Sequence, residues 1–318
     1  MNRISILSAA ILATLSATNV VAEESSRWSG EFIFATGYMS SNSNLNTEGD
    51  AIYKDINQKG TQEEEYFVAP LGNVAYSFGE GLNQRVYMGT SRDDLAVGDL
   101  AFEIGYQLDM QNGTQLDISF LPTVVAGEVW QDPYYEGKRR KTDVEGNAFR
   151  MQLHHIAGTG FSAEMAFGTQ EVDEERIIHD DLLRDSDMFS LKASYLWPLS
   201  ASSGLKTTVG FFHNDAEGIA QTYDQYELEA TYFMHTGSYM LALTASYASR
   251  EYDGTHPIFN EERKDDKSRL FVAYEYANFM GLENWDFVSF AGVDVTDSNI
   301  NFYKSEDYVA SIGLSYKF

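Results

Sequence analysis

The sequence predicts an all-β protein that crosses a membrane, an antiparallel up-and-down β-barrel of about 14 strands, with 12 as the competing count. Three observations lead there. The chain opens with an export segment; no later stretch approaches the ~20 consecutive apolar residues of a membrane helix; and apolar and polar residues alternate with period two up to an aromatic C-terminus.

Arg3 precedes the apolar run Ile4 to Leu15, and small residues follow to Val20-Val21-Ala22. Charged start, short apolar core and small-residue exit are the order of a secretory signal peptide. Cleavage after Ala22 gives a signal peptide over 1–22 and a barrel domain over 23–318, which is 318 − 22 = 296 residues. The chain has no cysteine, so topology rather than disulfides must hold it. It has 20 Tyr, 20 Phe and 4 Trp, which suits strands and membrane interfaces better than helices. Without Arg3 there are 21 basic against 48 acidic residues, a net charge of −27, which excludes a phosphate backbone as partner.

The alternation is clearest at the end, where Tyr308, Ala310, Ile312, Leu314, Tyr316 and Phe318 share one face and Val309, Ser311, Gly313, Ser315 and Lys317 the other. It recurs at 100–109 and 225–232. Short turns are expected near Gly79-Glu80-Gly81, Gln111-Asn112-Gly113, Gly158-Thr159-Gly160, Pro198 to Gly204, His235 to Ser238 and Gly281-Leu282-Glu283, where Gly and Asn accept positive φ. Longer polar connections are expected at 42–64, 92–98, 128–146, 171–187, 214–222, 252–267 and 296–305. Seven loops and six turns give fourteen strands. Pro70 and Pro122 fall inside expected strands, where a missing N–H must mark a bulge or a rim; Pro133, Pro198 and Pro257 fall in connections.

Carried onto the polar face, the alternation lists lumen-lining charges: Glu103, Asp109, Asp117, Glu164, Glu227, Glu229, Glu275, Asp286 and Asp294 against Arg150, Lys192, Lys206, Arg269 and Lys317. Nine acids against five bases would enrich cations in a confined aqueous path; the same groups could instead pair across the lumen and only stiffen the barrel. Loop 171–187 is rich in Asp and Glu but lacks a spaced metal motif, and reads as a solvated acidic loop. The run Lys138-Arg139-Arg140-Lys141 reads as a loop tip, with anionic lipopolysaccharide as the other reading. Asp117, Ser119 and His154 make the best nucleophile–base–acid set, but no sharp nucleophile turn surrounds Ser119, so no enzyme is expected. His154 and His155 point to opposite strand faces; no metal and no cofactor are expected.

With these residues in view, the chain resembles a Gram-negative outer-membrane β-barrel of the monomeric porin type, an uncharacterised family of such barrels fitting equally. The likeness spans the mature chain as architecture and rests, as a motif, on the last strand. It implies a bacterial outer-membrane location and an assembly signal at Ile312, Leu314, Tyr316 and Phe318, read by the barrel-assembly machinery. It also implies contact with outer-membrane lipid and lipopolysaccharide, and a monomer. Fourteen strands lie between eight-stranded barrels filled by side chains and sixteen-stranded open porins. A narrow, wettable channel for ions or small hydrophilic solutes, preferring cations, is therefore the expected function; a structural or adhesive barrel with a plugged lumen is the alternative.

Overall fold

The computed structural model describes residues 27–49, 55–91, 94–95, 101–123 and 126–318, so the expected signal peptide over 1–22 lies outside the described residues. The strands are β1 (Trp28–Ser41), β2 (Glu63–Phe78), β3 (Gln84–Thr90), β4 (Phe102–Asp109), β5 (Gln115–Pro122), β6 (Gly127–Trp130), β7 (Lys141–His154) and β8 (Phe161–Val172), then β9 (Ser186–Ser200), β10 (Ser203–Ala216), β11 (Tyr223–Thr236), β12 (Tyr239–His256), β13 (Glu261–Tyr276), β14 (Trp285–Ser298) and β15 (Ser305–Lys317). All pairings are antiparallel, and β15 returns to β1 from Glu31↔Lys317 to Ser41↔Asp307. β5 and β6 both pair with β7, and Thr123 N donates to Gly146 O at 2.9 Å between them, so the two make one stave. The result is a closed 14-stranded barrel, as the turn and loop pattern predicts.

Burial alternates as a membrane barrel requires. On β1, Phe32 and Phe34 are more than 60% exposed while Glu31, Ile33 and Ala35 are buried between them. Trp28 against Tyr76, Tyr195 against Trp197 and Trp285 against Tyr316 ring the short-turn rim. Tyr38 against Tyr66, with Tyr226, Tyr247 and Tyr308, marks the other edge of the apolar belt.

The boundaries differ from expectation where strands leave the membrane. The expected loop 252–267 is only residues 257–260, because β12 and β13 continue as a ribbon whose outer face, Glu251, Asp253, Lys264 and Asp266, is hydrophilic enough to read as a loop. In the same way β6 and the start of β7 occupy part of the expected loop 128–146. Pro198 is not in a connection but near the end of β9, opposite Gly204 at a register shift. Pro122 ends β5, past the β4 ladder but still opposite Asn147 of β7, and Pro70 lies in the stretch of β2 past the β3 ladder but still opposite Phe34 of β1, so each proline is paired on one side and beyond the described ladder on the other.

At the long-connection rim, six connections share a core. Tyr134, Leu182, Ala220, Ile300, Phe302 and Tyr303 are buried together, with Ile56, Ile177, Ile258 and Phe259 packed against them. Polar groups inside are matched: Tyr134 and Tyr303 hydroxyls lie 2.6 Å apart, Gln221 Nε2 donates to Tyr134 at 3.1 Å, and Asn44 Nδ2 donates to Phe302 O at 2.9 Å. Arg263 sits 3.3 Å over the Tyr303 ring and forks onto Asp265 at 3.0 and 2.6 Å. His256, at the end of β12 well beyond the aromatic belt, is fully buried; its Nε2 lies 2.8 Å from the Tyr303 hydroxyl, and Ile258 N donates to its Nδ1 at 3.3 Å. These contacts fit a neutral imidazole with the proton on Nε2. The barrel mouth is thus roofed by a packed aromatic cap.

Two predictions follow from closure and roof. Phe318 and Gly30 exchange both backbone bonds at 3.1 Å, and the Phe318 ring stacks on Phe32 at 5.7 Å. Deleting Phe318 should lower the yield of folded, heat-modifiable barrel in the membrane; normal yield would assign the seam to the rest of β15. Burial, Arg263 and His179 hold the His256 pKa down at about 3. Because the opened roof takes up the proton nearer the ordinary 6.5, the roof should be stable above that pH and weaken as pH falls from 6.5 toward 3, by about 1.4 kcal/mol per pH unit at most. Protease sensitivity of residues 257–260 against pH measures this, and His256→Gln should flatten the profile.

Candidate functional site: the charged lumen

Because the outward face carries the apolar belt, the register fixes which charges look inward. Glu103, Asp109, Asp117, Arg150, Glu164, Lys192, Lys206, Glu227, Glu229, Arg269, Glu275, Asp286, Asp294 and Lys317 all project from the face opposite that belt. They gather into three groups.

The first spans β4 to β8. Arg150 Nη2 donates to Glu103 at 2.6 Å, and Nη1 lies 3.3 Å from Asp94, all three buried. Asp117 accepts from Tyr87 OH and Gln107 Nε2, each at 2.7 Å; Glu164 accepts from Gln152 Nε2 at 2.9 Å. Asp94 belongs to the connection between β3 and β4, and of that connection the described Asp94 and Leu95 lie against inward-facing side chains, Asp94 on Arg150 and Leu95 on the Ile33–Ala35–Val288 cluster. The alternation could not reveal it, since a loop residue has no period.

The second group continues from Glu164 of β8 across β9 to β11. Glu164, Lys192, Gly210 and Glu227 follow one another in register, with Lys192 Nζ 3.9 Å from Glu227, while Glu229 and Lys206 are buried beside them. The third lies on β13 to β15: Arg269 Nε bonds Asp294 at 2.8 Å, and Lys317 reaches Glu275 at 2.6 Å and Asp286 at 2.5 Å. Asp109 joins none of these; it sits exposed at the short-turn end, accepting from Gln115 at 2.8 Å.

Sequence reasoning missed other inward charges. Glu31, which bonds Ser315, was legible in the alternation of β1. Arg263 and Asp265 were hidden because their segment reads as a loop. Arg250 caps the Tyr223 ring at 4.0 Å, and Asp307 bonds Ser41.

Within the first two groups several buried polar atoms have no protein partner: Ser119 Oγ, Glu164 Oε1, Ser190 Oγ, Thr208 Oγ1 and Glu229 Oε2. Buried polar atoms are almost always satisfied, by protein or by water. This arc of the lumen therefore requires hydration.

The other candidates resolve differently. Ser119 stands opposite Arg150 and His154 opposite Gln115, four residues along β5 and so about 13 Å away, while Asp117 is committed to Tyr87 and Gln107. No catalytic relay is assembled there. In the basic run, Arg139 is buried, donating to Asn44 O at 2.7 Å with its guanidinium 4.1 Å over Trp130, and Lys141 bonds Glu48 and Glu128, so the run is not simply a solvated tip. Nor is the acidic loop wholly solvated, since Leu182 is at the centre of the roof and Glu175 is paired with Arg184. Among the described residues no group of three or more His, Asp or Glu is arranged to hold a metal.

Solved structures with the same general architecture include the loop-L8 deletion mutant of OmpT, an outer membrane protein of Vibrio cholerae (10% identity over 92% of this chain and 100% of that one, TM-score 0.44). The outer membrane channel DcaP of Acinetobacter baumannii is similar at 10% identity over 91% and 97% of the two chains, TM-score 0.44. OprD of Pseudomonas aeruginosa follows at 9% identity over 91% and 95%, TM-score 0.38. The likeness is confined to barrel architecture. No curated protein matches the sequence. Residues 28–317, the whole barrel, match one family, and the chain belongs to it: the family described as "Protein of unknown function (DUF2860)".

Proposed function

We propose that the barrel is a narrow channel for ions and small hydrophilic solutes, preferring cations, that works as a monomer with its long connections outside the cell. The observation that carries this reading is the arc of unpartnered polar atoms from Ser119 to Glu229, which asks for water inside the barrel where a filled core would leave none. Acids outnumber bases along the inward face, and fixed negative charge in a confined path attracts cations and repels anions. Lipopolysaccharide around the upper belt and the barrel-assembly machinery acting on Ile312, Leu314, Tyr316 and Phe318 complete the proposed setting.

Reversal potentials in a salt gradient across a planar bilayer test it. Cations should pass preferentially, with selectivity fading as salt shortens the screening length to ~3 Å at 1 M. Neutralising Glu227 and Glu229 as Gln should lower the cation-to-anion permeability ratio severalfold while the barrel stays folded. Anion preference in the unmodified protein, or no conductance, would defeat the reading.

A second reading, a structural barrel with a plugged lumen, is favoured by the packed roof and by Asp94 held against Arg150 inside the bore. Arg150→Ala removes the cation that holds Asp94 and leaves two buried carboxylates unpaired, a loss of about 3–5 kcal/mol. If the β3–β4 connection obstructs flow, this variant should have higher single-channel conductance. A silent wild type with a conducting variant would make the plug the resting state; equal conductance would leave the pair a purely structural role.

A further inference from the structure

Inward cations in this barrel generally have a carboxylate at bonding distance. Arg150 has Glu103 and Asp94, Arg263 has Asp265, Arg269 has Asp294, and Lys317 has Glu275 and Asp286. Arg250 and Lys267 differ. Among the described residues Arg250 of β12 bonds neutral groups alone: Nε and Nη2 donate to Gln225 Oε1 at 3.1 and 2.7 Å, and Nη1 donates to the Tyr252 hydroxyl at 3.2 Å. Its guanidinium lies 4.0 Å over the Tyr223 ring. Lys267 of β13, half-buried on the same inward face, has no ion pair or hydrogen bond to any described residue. Ser268 stands opposite Tyr247 of the upper girdle, so both cations lie just above that level, beneath the roof that Arg263 and Tyr303 help to build.

The two are neighbours. Arg250 stands opposite Asp265 and Lys267 is two residues further along β13, a diagonal pair with Cα atoms about 7–8 Å apart. Like charges at that range repel, more strongly in a confined bore than in open water. Asp265 is already forked onto Arg263, and Asp307 is held by the hydroxyls of Ser41 and Ser305. From the roof down to Arg269, the inward faces of β12 to β15 carry Arg250, Arg263, Lys267 and Arg269 against Asp265, Asp294 and Asp307, one positive charge in excess. Donors are in excess too. Arg250 keeps one uncommitted N–H on each terminal nitrogen, and Lys267 keeps all of its own. Gln225 at its edge and Tyr223 beneath it fix the plane of the guanidinium, so the fork is set before any ligand arrives. A fixed fork beside a free ammonium, with one charge to balance, matches a single carboxylate; a doubly charged phosphate would exceed it.

We propose that Arg250 and Lys267 form a subsite beneath the roof for the carboxylate of a small zwitterionic solute. The acid excess of the bore turns away solutes of net negative charge, so a carboxylate reaches this point most readily on a molecule that carries its own ammonium. Asp294, bonded by Arg269 yet with 34% of its side chain exposed, lies on the neighbouring strand and offers that ammonium a counter-charge. The subsite gives the channel reading a solute class and rests on it only for a bore that solutes can enter; it does not need current to flow.

Saturation-transfer difference NMR on the folded full chain in a non-ionic detergent reads binding without conduction. The probes are glycine betaine, which carries a carboxylate and a quaternary ammonium, and choline, which is of similar size and lacks the carboxylate. The unmodified barrel should give a saturable betaine signal and little with choline. Lys267→Gln, which breaks no contact among the described residues, should weaken betaine binding about tenfold or more, as losing a hydrogen bond to a charged group does, and Lys267→Arg should restore it. Lys267→Glu should turn the preference toward choline. Heat-modifiability on gels shows that each variant is folded. No betaine signal from the unmodified barrel, equal signals from the two probes, undiminished binding by Lys267→Gln, or betaine preference persisting in Lys267→Glu would each overturn the subsite. A barrel that binds betaine but passes no current would keep the subsite and lose the ion channel; one that conducts without binding betaine would do the reverse.

Discussion

A backbone amide facing lipid has no water to bond, and each one left unpaired costs several kcal/mol; everything else in this barrel depends on satisfying that demand. A sheet satisfies it only by closing, which is why the last strand must find the first and why the seam between β1 and β15 runs in unbroken register from Glu31↔Lys317 to Ser41↔Asp307. The same demand explains the two prolines that alternation alone cannot place. Neither Pro70 nor Pro122 interrupts a ladder that needed its N–H.

Closure sets the chemistry of the interior as well. With the apolar half of each strand committed to lipid, the other half must fill or line the bore, and the chain gives it charge. Arg150 is held between Glu103 and Asp94, and Lys317 between Glu275 and Asp286, so each of these cations has two carboxylates near it. Such arrangements neutralise part of the interior and leave acid in excess. Replacing them with an apolar core would often cost nothing in stability, so their retention speaks for a wetted interior rather than for strength.

How much of this was legible follows from the range of the interaction concerned. Period-two alternation is local, and it placed Glu103, Arg150, Glu227 and Asp294 on the inward face without any knowledge of their neighbours. Pairing across the lumen is not local: nothing near residue 94 tells that Asp94 will meet Arg150. The roof was invisible for a similar reason, since Leu182 lies in a stretch of acids and Phe302 in a short polar connection, and single apolar residues in loops carry no pattern. The ribbon of β12 and β13 was misread because strands standing in water lose the apolar face that identifies strands in lipid. Thus composition spoke for solvent, and solvent was taken for a loop.

The roof has a consequence for the order in which the molecule is made. Its residues come from positions as far apart as Asn44 and Phe302, and Arg139 must reach back to Asn44, so almost none of its contacts can form between neighbours in the chain. Before the staves are joined, these contacts would have to close long loops against chain entropy, from 47 residues for His256 and Tyr303 to 258 for Asn44 and Phe302; afterwards the same ends are already side by side. The cap should therefore be the last part to set, after the cylinder is complete, and a chain caught halfway through insertion would display Tyr134, Leu182 and Phe302 as sticky apolar side chains. Quality control outside the membrane would have a simple mark by which to tell an unfinished barrel from a finished one.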